Sequence, residues 1–138
     1  LFAGTGQLGL EALSRGAERC TFVDQRREAA ALVRENVKLC RFEDRARVAQ
    51  EEALSFLSSC REKFDVVFLD PPYQSGLLEK SLETLTRFDI LREYGIIVCE
   101  SGTEWTVPPL APPYEAGREY RYGQIKLTVC HRAGSVKQ

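Results

Sequence analysis

Short apolar runs alternate with segments of helical periodicity along the chain, and this alternation is the feature that most constrains its fold. Cys20–Asp24 and Phe64–Leu69 have the length and composition of buried strands, and Gly95 opens another over residues 96–100. Helices are predicted over residues 7–15, 26–40, 52–60 and 77–87, and a weaker strand over 45–49. Strands separated by helices predict βαβ units. At 138 residues, we expect one α/β domain with a mostly parallel, doubly wound sheet.

The two ends of the chain depart from this alternation. Leu1-Phe2 is predicted to be the tail of a first strand, and since the chain contains no methionine we expect that strand to be truncated. Prolines at 108, 109, 112 and 113 predict irregular structure over residues 101–113. Beyond them, residues 114–120 and 124–131 flank Tyr122-Gly123 and predict a closing antiparallel hairpin. We expect a single domain over residues 1–132 and a flexible tail over 133–138.

Composition excludes several classes of protein. No apolar run approaches the roughly 18 residues of a membrane span, and we expect a cytoplasmic protein without membrane contact. The five cysteines are widely separated, no C-x-x-C occurs, and His131 is the one histidine. This pattern argues against a metal site and favours reduced thiols. The net charge of −1 does not by itself indicate a nucleic-acid partner.

A glycine loop follows the predicted strand tail. Gly4-Thr5-Gly6-Gln7-Leu8-Gly9 fits G-x-G-x-x-G, in which the glycines permit a tight turn, close approach of a ligand and close helix–strand packing. Asp24 ends the next strand 20 positions after Gly4, where an acidic residue meets a ribose diol. This order predicts a nucleoside-binding site. The loop fits either a dinucleotide or S-adenosylmethionine, and a ligand-free strand-to-helix turn is the alternative.

Asp70-Pro71-Pro72-Tyr73 follows directly on the strand that ends at Leu69. Two prolines cannot continue a sheet ladder, so the strand stops there and the neighbouring carbonyls are held still. A carboxylate and a rigid carbonyl form two acceptors suited to an exocyclic amine, and Tyr73 offers a face on which a base could stack. The alternative is a simple turn. An amine-binding loop at the same sheet edge as a nucleoside site favours methyl transfer over hydride transfer.

Three segments together resemble a known family. Residues 1–6 (LFAGTG) with 9–17 (GLEALSRGA), residues 68–73 (FLDPPY) and residues 120–127 (YRYGQIKL) are similar to the opening motif, catalytic motif and terminal hairpin of RsmD-type bacterial methyltransferases. The resemblance covers nearly all of residues 1–132. It implies a Rossmann-like class I fold, S-adenosylmethionine as cofactor with S-adenosylhomocysteine as product, and no metal. It also implies methylation of guanine N2 in 16S ribosomal RNA, free or in a small-subunit assembly particle, by a monomer.

The resemblance assigns roles residue by residue. Asp70, Pro71, Pro72 and Tyr73 hold the target guanine. The cofactor contacts it implies are Phe2, Ala3, Gly4, Thr5, Gly6, Gly9, Asp24, Glu52 and Ala53. Asp24 binds the ribose hydroxyls in this assignment. Glu52 stands where the family has Asp in an Asp-Ala pair near the adenine, and its longer side chain can still accept from the adenine amine.

Two other functions remain open at this point. The tetrapeptide is shared with enzymes that methylate adenine N6 in DNA, although the short chain shows no evident target-recognition domain. The third possibility belongs to another class: a nucleotide-binding module without catalysis, such as an inactive methyltransferase fragment.

Overall fold

Helices and strands alternate through the computed structural model, which describes residues 1–72 and 75–134. The strands are β1 Cys20–Val23, β2 Ala46–Ala49, β3 Phe64–Leu69, β4 Leu91–Gly102, β5 Tyr114–Tyr122 and β6 Ile125–Arg132. The helices are α1 Gln7–Ser14, α2 Arg27–Leu39, α3 Ala53–Ser59 and α4 Leu77–Arg87, with a 3-10 turn at Glu43–Arg45. Each of the predicted elements between residues 7 and 90 is present within one to two residues of its predicted bounds. The chain divides into two units, Leu1–Phe56 and Leu57–Gln138.

The unit Leu1–Phe56 is built on a parallel pair of strands. β1 and β2 run side by side from Cys20 opposite Ala46 to Val23 opposite Ala49. A parallel pair requires a crossover connection, and α2 supplies it. The buried side chains that pack together come from α1, β1 and α2: Leu13, Phe22, Val33 and Val37. This unit therefore carries one complete βαβ motif.

Helix α1 ends against a side chain that is distant in sequence. The last carbonyl groups of a helix have no partner within the helix. The Arg45 guanidinium donates to the carbonyl oxygen of Leu13 at 2.9 Å and also to those of Ala17 and Glu18. A cation at this end also opposes the negative pole of the helix dipole. Arg45 therefore fixes the end of α1 next to the start of β2.

The unit Leu57–Gln138 contains a mixed sheet with the order β3-β4-β6-β5. β3 and β4 are parallel, whereas β6 is antiparallel to both β4 and β5. The hairpin of β5 and β6 confirms the prediction for the C-terminal third, and Gly123 at its tip has the positive φ of 60° that a tight turn requires. Along β4, residues at alternate positions are buried, which places Ile97, Cys99 and Ser101 on one covered face.

Strand β4 begins earlier than predicted. Gly95 does not open the strand but lies inside it, since β4 starts at Leu91. The partner of Phe64 is Leu91 and the partner of Val66 is Ile96, so β4 bulges between these pairs. A Cβ on Gly95 would lie 2.8 Å from the carbonyl oxygen of Arg92. The glycine thus marks a close backbone approach within a bulge, which sequence cannot distinguish from a strand start.

The predicted strand tail at Leu1-Phe2 is wrong. Neither residue is in a strand, and Phe2 has a φ of 58°, which is far from the extended region. The Ala3 N–H donates to the Val23 oxygen at 3.0 Å. Ala3 is therefore bonded to the last residue of β1.

The end of the chain tests the predicted tail in part. The Ala133 N–H donates to the Pro113 oxygen at 2.9 Å, so Ala133 is tied to the segment before β5. Residues 135–138 of the predicted tail lie outside the described residues. The single domain over 1–132 stays a prediction. Within residues 1–72 and 75–134, no helix has the length and apolar character to cross a membrane.

Candidate functional site

The glycine loop is a compact turn held from two sides. Gly4 and Gly6 have φ values of 60° and 82°, a conformation that costs other residues energy. The Gly6 N–H donates to the Ala3 oxygen at 2.8 Å, which closes the turn. From helix α2, the Asn36 side-chain amide donates to the Thr5 oxygen at 2.9 Å. The loop thus has a fixed backbone immediately before α1.

Gly9 brings helix α1 against strand β1. A Cβ at this position would lie 2.3 Å from a ring carbon of Phe22 and 2.7 Å from the Cys20 sulfur. These distances are far inside normal contact, so only glycine fits. The predicted role of the third glycine, close helix–strand packing, is confirmed.

Asp24 is a buried carboxylate at the end of β1. One oxygen accepts from the Arg26 N–H at 2.9 Å and from Arg26 Nε at 3.1 Å. The other accepts from the Gly4 N–H and from Arg26 Nη2, both at 3.0 Å. Burial raises the pKa of Asp24, but the hydrogen bonds from Arg26 and Gly4 outweigh it and hold the pKa below its usual value. Asp24 is therefore ionised and links β1 to the glycine loop.

Glu52 and Ala53 form the beginning of helix α3. A Glu52 side-chain oxygen accepts from the Ser55 N–H at 2.7 Å, and this bond lowers the pKa of Glu52 below its usual value. Glu52 therefore caps the helix, satisfying an amide that has no partner within it. Just before it, the Glu51 N–H donates to the Asp24 backbone oxygen at 3.2 Å. The start of α3 and the end of β1 are thus adjacent, whereas the contact of Glu52 with adenine stays a prediction.

These residues fit the polar end and the ribose of a nucleoside cofactor. Among the described residues outside Ala3–Thr5, no atom lies within 4 Å of the position that a Cβ would take on Gly4, so the loop borders open space there. The N-cap of α1 is Gly6, which has no side chain to satisfy the first amides of the helix. A buried carboxylate, Asp24, bonds to the same loop. Backbone N–H donors and the Asp24 carboxylate therefore lie close together. A zwitterionic group attached to a ribose needs both kinds of partner.

The second candidate group lies at the end of β3, in the other unit. Leu69 is opposite Cys99 of β4, and Asp70 is the next residue beyond the strand. Pro71 is buried and Pro72 is exposed. Strand β3 ends at Leu69, which confirms the prediction that the strand stops before the two prolines. Asp70 is half-buried at this edge.

Ser75 bonds to residues on both sides of it. Its hydroxyl donates to the Pro72 oxygen at 2.7 Å and accepts from the Leu77 N–H at 3.3 Å. The Pro72 oxygen is thereby engaged within the loop, whereas no such bond is seen at the Pro71 oxygen among the described residues. Helix α4 then begins after Gly76, which has a φ of 74°. Tyr73, the predicted stacking residue, lies outside the described residues.

Glu100 is a polar residue of this group that the sequence analysis missed. Its carboxyl group lies beside that of Asp70, because Leu69 and Cys99 are opposite each other in the two strands. A hydrogen bond to Asp70, burial and repulsion from Asp70 together raise the pKa of Glu100 to about 7. A signal was present in the sequence: Glu100 follows Ile96–Cys99 in the same way that Asp70 follows Phe64–Leu69. Sequence alone did not show that the two apolar runs are parallel neighbours.

Comparison with known proteins decides the family. Residues 1–131 match the family described as conserved hypothetical protein 95. The chain belongs to this family. It is 34% identical to YlbH of Bacillus subtilis strain 168, provisionally named an rRNA methyltransferase, over 97% of this chain and 74% of the relative. It is also 34% identical to ribosomal RNA small subunit methyltransferase D of Escherichia coli K12, over 95% of this chain and 66% of the relative. The predicted RsmD-type resemblance is confirmed.

Solved structures that are similar to this chain in sequence share its fold. A conserved hypothetical protein of Streptococcus pyogenes superposes with a TM-score of 0.87 at 32% identity, over 95% of this chain and 82% of that one. The provisionally named methyltransferase yhhF of Escherichia coli gives a TM-score of 0.87 at 33% identity, over 96% of this chain and 73% of that one. The predicted α/β, Rossmann-like class I methyltransferase fold is therefore confirmed.

Proposed function

We propose that this protein transfers a methyl group from S-adenosylmethionine to the exocyclic N2 amine of a guanine in 16S ribosomal RNA. The observation that carries the proposal is Asp70, a carboxylate at a strand end followed by two prolines, in a member of a family with relatives named as rRNA methyltransferases. The substrate is the free RNA or a small-subunit assembly particle. We further propose that the protein acts as a monomer in the cytoplasm and releases S-adenosylhomocysteine.

Cofactor binding is assigned to the unit Leu1–Phe56. The glycine loop and the first amides of α1 face the methionine end, and Asp24 accepts from the ribose hydroxyls. A carboxylate has about four acceptor positions, and Arg26 and Gly4 already donate to Asp24. The Arg26 side chain is 63% exposed. We expect it to turn away when the ribose binds, while the bond from the Gly4 N–H remains.

Asp70 and the Pro71 oxygen are assigned to the target amine. The N2 lone pair of guanine is delocalised into the ring, which makes this nitrogen a weak nucleophile. When both acceptors bind its two N–H groups by hydrogen bonds, the nitrogen is favoured in a pyramidal form. Its lone pair then points away from both acceptors. The Ser75 bond helps to fix the backbone at Pro72, next to the Pro71 oxygen, so this acceptor needs little reorganisation during the reaction.

The bound cofactor supplies an electrophilic methyl group on a sulfonium sulfur. As the N–C bond forms, the C–S bond breaks and its electron pair returns to sulfur. The nitrogen becomes cationic, and the negative charge of Asp70 stabilises it more strongly than it stabilised the neutral amine. The extra proton then leaves the nitrogen through Asp70 to solvent. Holding both reactants in one geometry can supply roughly 7–11 kcal/mol of the barrier reduction.

The guanine must leave its stack to reach Asp70. Enzymes that modify a base take it from single-stranded or flipped-out positions, and aromatic side chains replace the lost stacking. We assign this stacking to Tyr73. Substitution Tyr73→Ala is expected to weaken RNA use while cofactor affinity stays unchanged, and an equal loss of cofactor binding would assign Tyr73 a structural role instead.

The decisive experiment measures methyl transfer from labelled cofactor to 16S RNA, small-subunit particles and DNA. Asp70→Ala is expected to abolish transfer to guanine, and calorimetric titration is expected to show unchanged S-adenosylmethionine binding. Asp65→Asn is the matched control, because Asp65 lies on the same strand in an exposed pair with Arg92. Normal transfer by Asp70→Ala would contradict the proposal. Label on adenine N6 of DNA would favour the adenine enzyme, and cofactor binding without transfer would favour a non-catalytic module.

A further inference from the structure

A second carboxyl group lies beside Asp70 because of the register of two parallel strands. Leu69 of β3 is opposite Cys99 of β4. Asp70 and Glu100 are the next residue on each chain, and neighbouring positions in register project to the same side of a sheet. Leu69 and Cys99 are fully buried on one face, so Asp70 and Glu100 emerge together on the other, where both are half-buried.

The contact between the two carboxyl groups requires a proton. An ionised carboxylate only accepts hydrogen bonds, so one member of a hydrogen-bonded pair must be protonated. Two adjacent carboxylates cannot both ionise readily. The pKa of Glu100 is raised to about 7 by its bond to Asp70, by burial and by the charge of Asp70. Below neutral pH the proton of the pair therefore resides on Glu100, which donates to the Asp70 carboxylate, and near pH 7 the protonated and ionised forms of Glu100 are about equally populated.

We propose that Glu100, in its protonated form, is a positioning residue that orients the Asp70 carboxylate toward the target amine. The inference rests on the proposed methyl transfer and adds a residue to it. The Glu100 hydroxyl holds one oxygen of Asp70 and leaves the other to accept from the amine. The pair carries one negative charge, which faces the nitrogen as it becomes cationic. Glu100 keeps its own proton throughout, since the amine proton leaves through Asp70.

Kinetics of three variants test this role. Glu100→Gln retains a side-chain N–H donor of nearly the same shape, whereas Glu100→Ala removes the donor. Misplacing a catalytic group by about 1 Å can cost on the order of 10²-fold, so Glu100→Ala is expected to lower kcat by about 10- to 100-fold with unchanged cofactor affinity. Glu100→Gln is expected to recover most of this loss. Glu83→Ala, at an exposed position of helix α4, is the control and is expected to behave as wild type.

Each result bears on one claim. Equal inactivity of Glu100→Gln and Glu100→Ala would overturn the positioning role, because a donor alone would not suffice. Normal activity of Glu100→Ala, with Asp70→Asn inactive, would also overturn it while leaving the proposed function intact. A wild-type protein that methylates no guanine would instead contradict the proposed function itself.

A second measurement does not depend on activity. Carbon-13 NMR of labelled glutamate carboxyl groups is expected to show Glu100 titrating near neutrality in the wild-type protein. In Asp70→Asn its titration is expected to move toward the ordinary glutamate value of about 4.3, since the negative neighbour is gone. An ordinary titration of Glu100 in the wild-type protein would overturn the carboxyl pair and the inference with it.

Discussion

Replacing Gly9 by alanine tests the packing of the glycine loop against β1. The added methyl group would lie 2.3 Å from one Phe22 ring carbon, 2.8 Å from another and 2.7 Å from the Cys20 sulfur. Ordinary contact begins at 3.4 Å, so the ring or the helix must shift by roughly 1 Å. Phe22 is 3% exposed and packs among buried neighbours, so it cannot move without disturbing them.

Two opposing free-energy effects decide the sign. Overpacking a core costs typically about 1–3 kcal/mol, and three contacts this short place Gly9→Ala toward the upper end. Alanine gains up to about 1 kcal/mol over glycine from helix propensity. The expected net result is a loss of about 1–2 kcal/mol in the free energy of unfolding.

Urea unfolding monitored by far-UV circular dichroism measures this loss. Gln7→Ala, at an exposed position of the same helix, is the control and is expected to change stability by less than about 0.5 kcal/mol. In Phe22→Leu the ring is absent, so Gly9→Ala should cost less in that background, with a coupling of about 1 kcal/mol. A Gly9→Ala protein more stable than wild type, or strictly additive effects, would refute the reasoning.

Three further predictions concern side chains at the ends of elements. Arg45→Met removes the cap of α1 and is expected to destabilise the protein by about 1 kcal/mol in urea unfolding; unchanged stability would contradict the capping role. Asp89 accepts from Arg132 at 2.8 Å and from the Tyr114 hydroxyl at 2.6 Å, and the Arg132 bond in particular lowers the pKa of Asp89. The pKa of Asp89 in the folded protein therefore lies below the unfolded value of about 3.9. The stabilisation from the ionised Asp89 is present above that value and is lost as the pH falls below it. The stability difference between wild type and Asp89→Asn should thus shrink from pH 6 to pH 3, and a constant difference would contradict this. Arg26→Ala frees acceptor positions on the predicted ribose ligand and is expected to tighten S-adenosylmethionine binding in calorimetry, with Arg27→Ala as control; weaker binding would show that Arg26 itself helps to bind the cofactor.

Local chemistry made much of the fold predictable. α4 was predicted at its observed bounds because apolar residues recur at helical spacing after a glycine. β3 was predicted because an apolar run ends at two prolines. The hairpin followed from Tyr122-Gly123 between two strand-like segments. These signals lie within a few residues of the structure that they determine.

The start of β4 was misplaced because it depends on a contact across the sheet. The bulge at Gly95 depends on how β4 meets β3, and a sequence window contains only one of the two strands. The left-handed backbone at Phe2 has no signal in its side chain. Arg45 was predicted as the first residue of a strand, and the structure shows its side chain bonded to the end of α1. Glu52 caps α3, and its contact with adenine stays a prediction.

For the candidate site, the sequence by itself determined the kinds of groups: a glycine loop, an acid after β1 and a carboxylate before two prolines. Order along the chain is sufficient for this, since each motif is continuous. Only the tertiary structure decided what those groups contact. Asp24 bonds to Gly4 across 20 positions, and Glu100 reaches Asp70 because two strands pair in parallel with Leu69 opposite Cys99. The register of strands distant in sequence depends on the buried faces of both strands at once, and the pattern of one strand does not contain that of its partner.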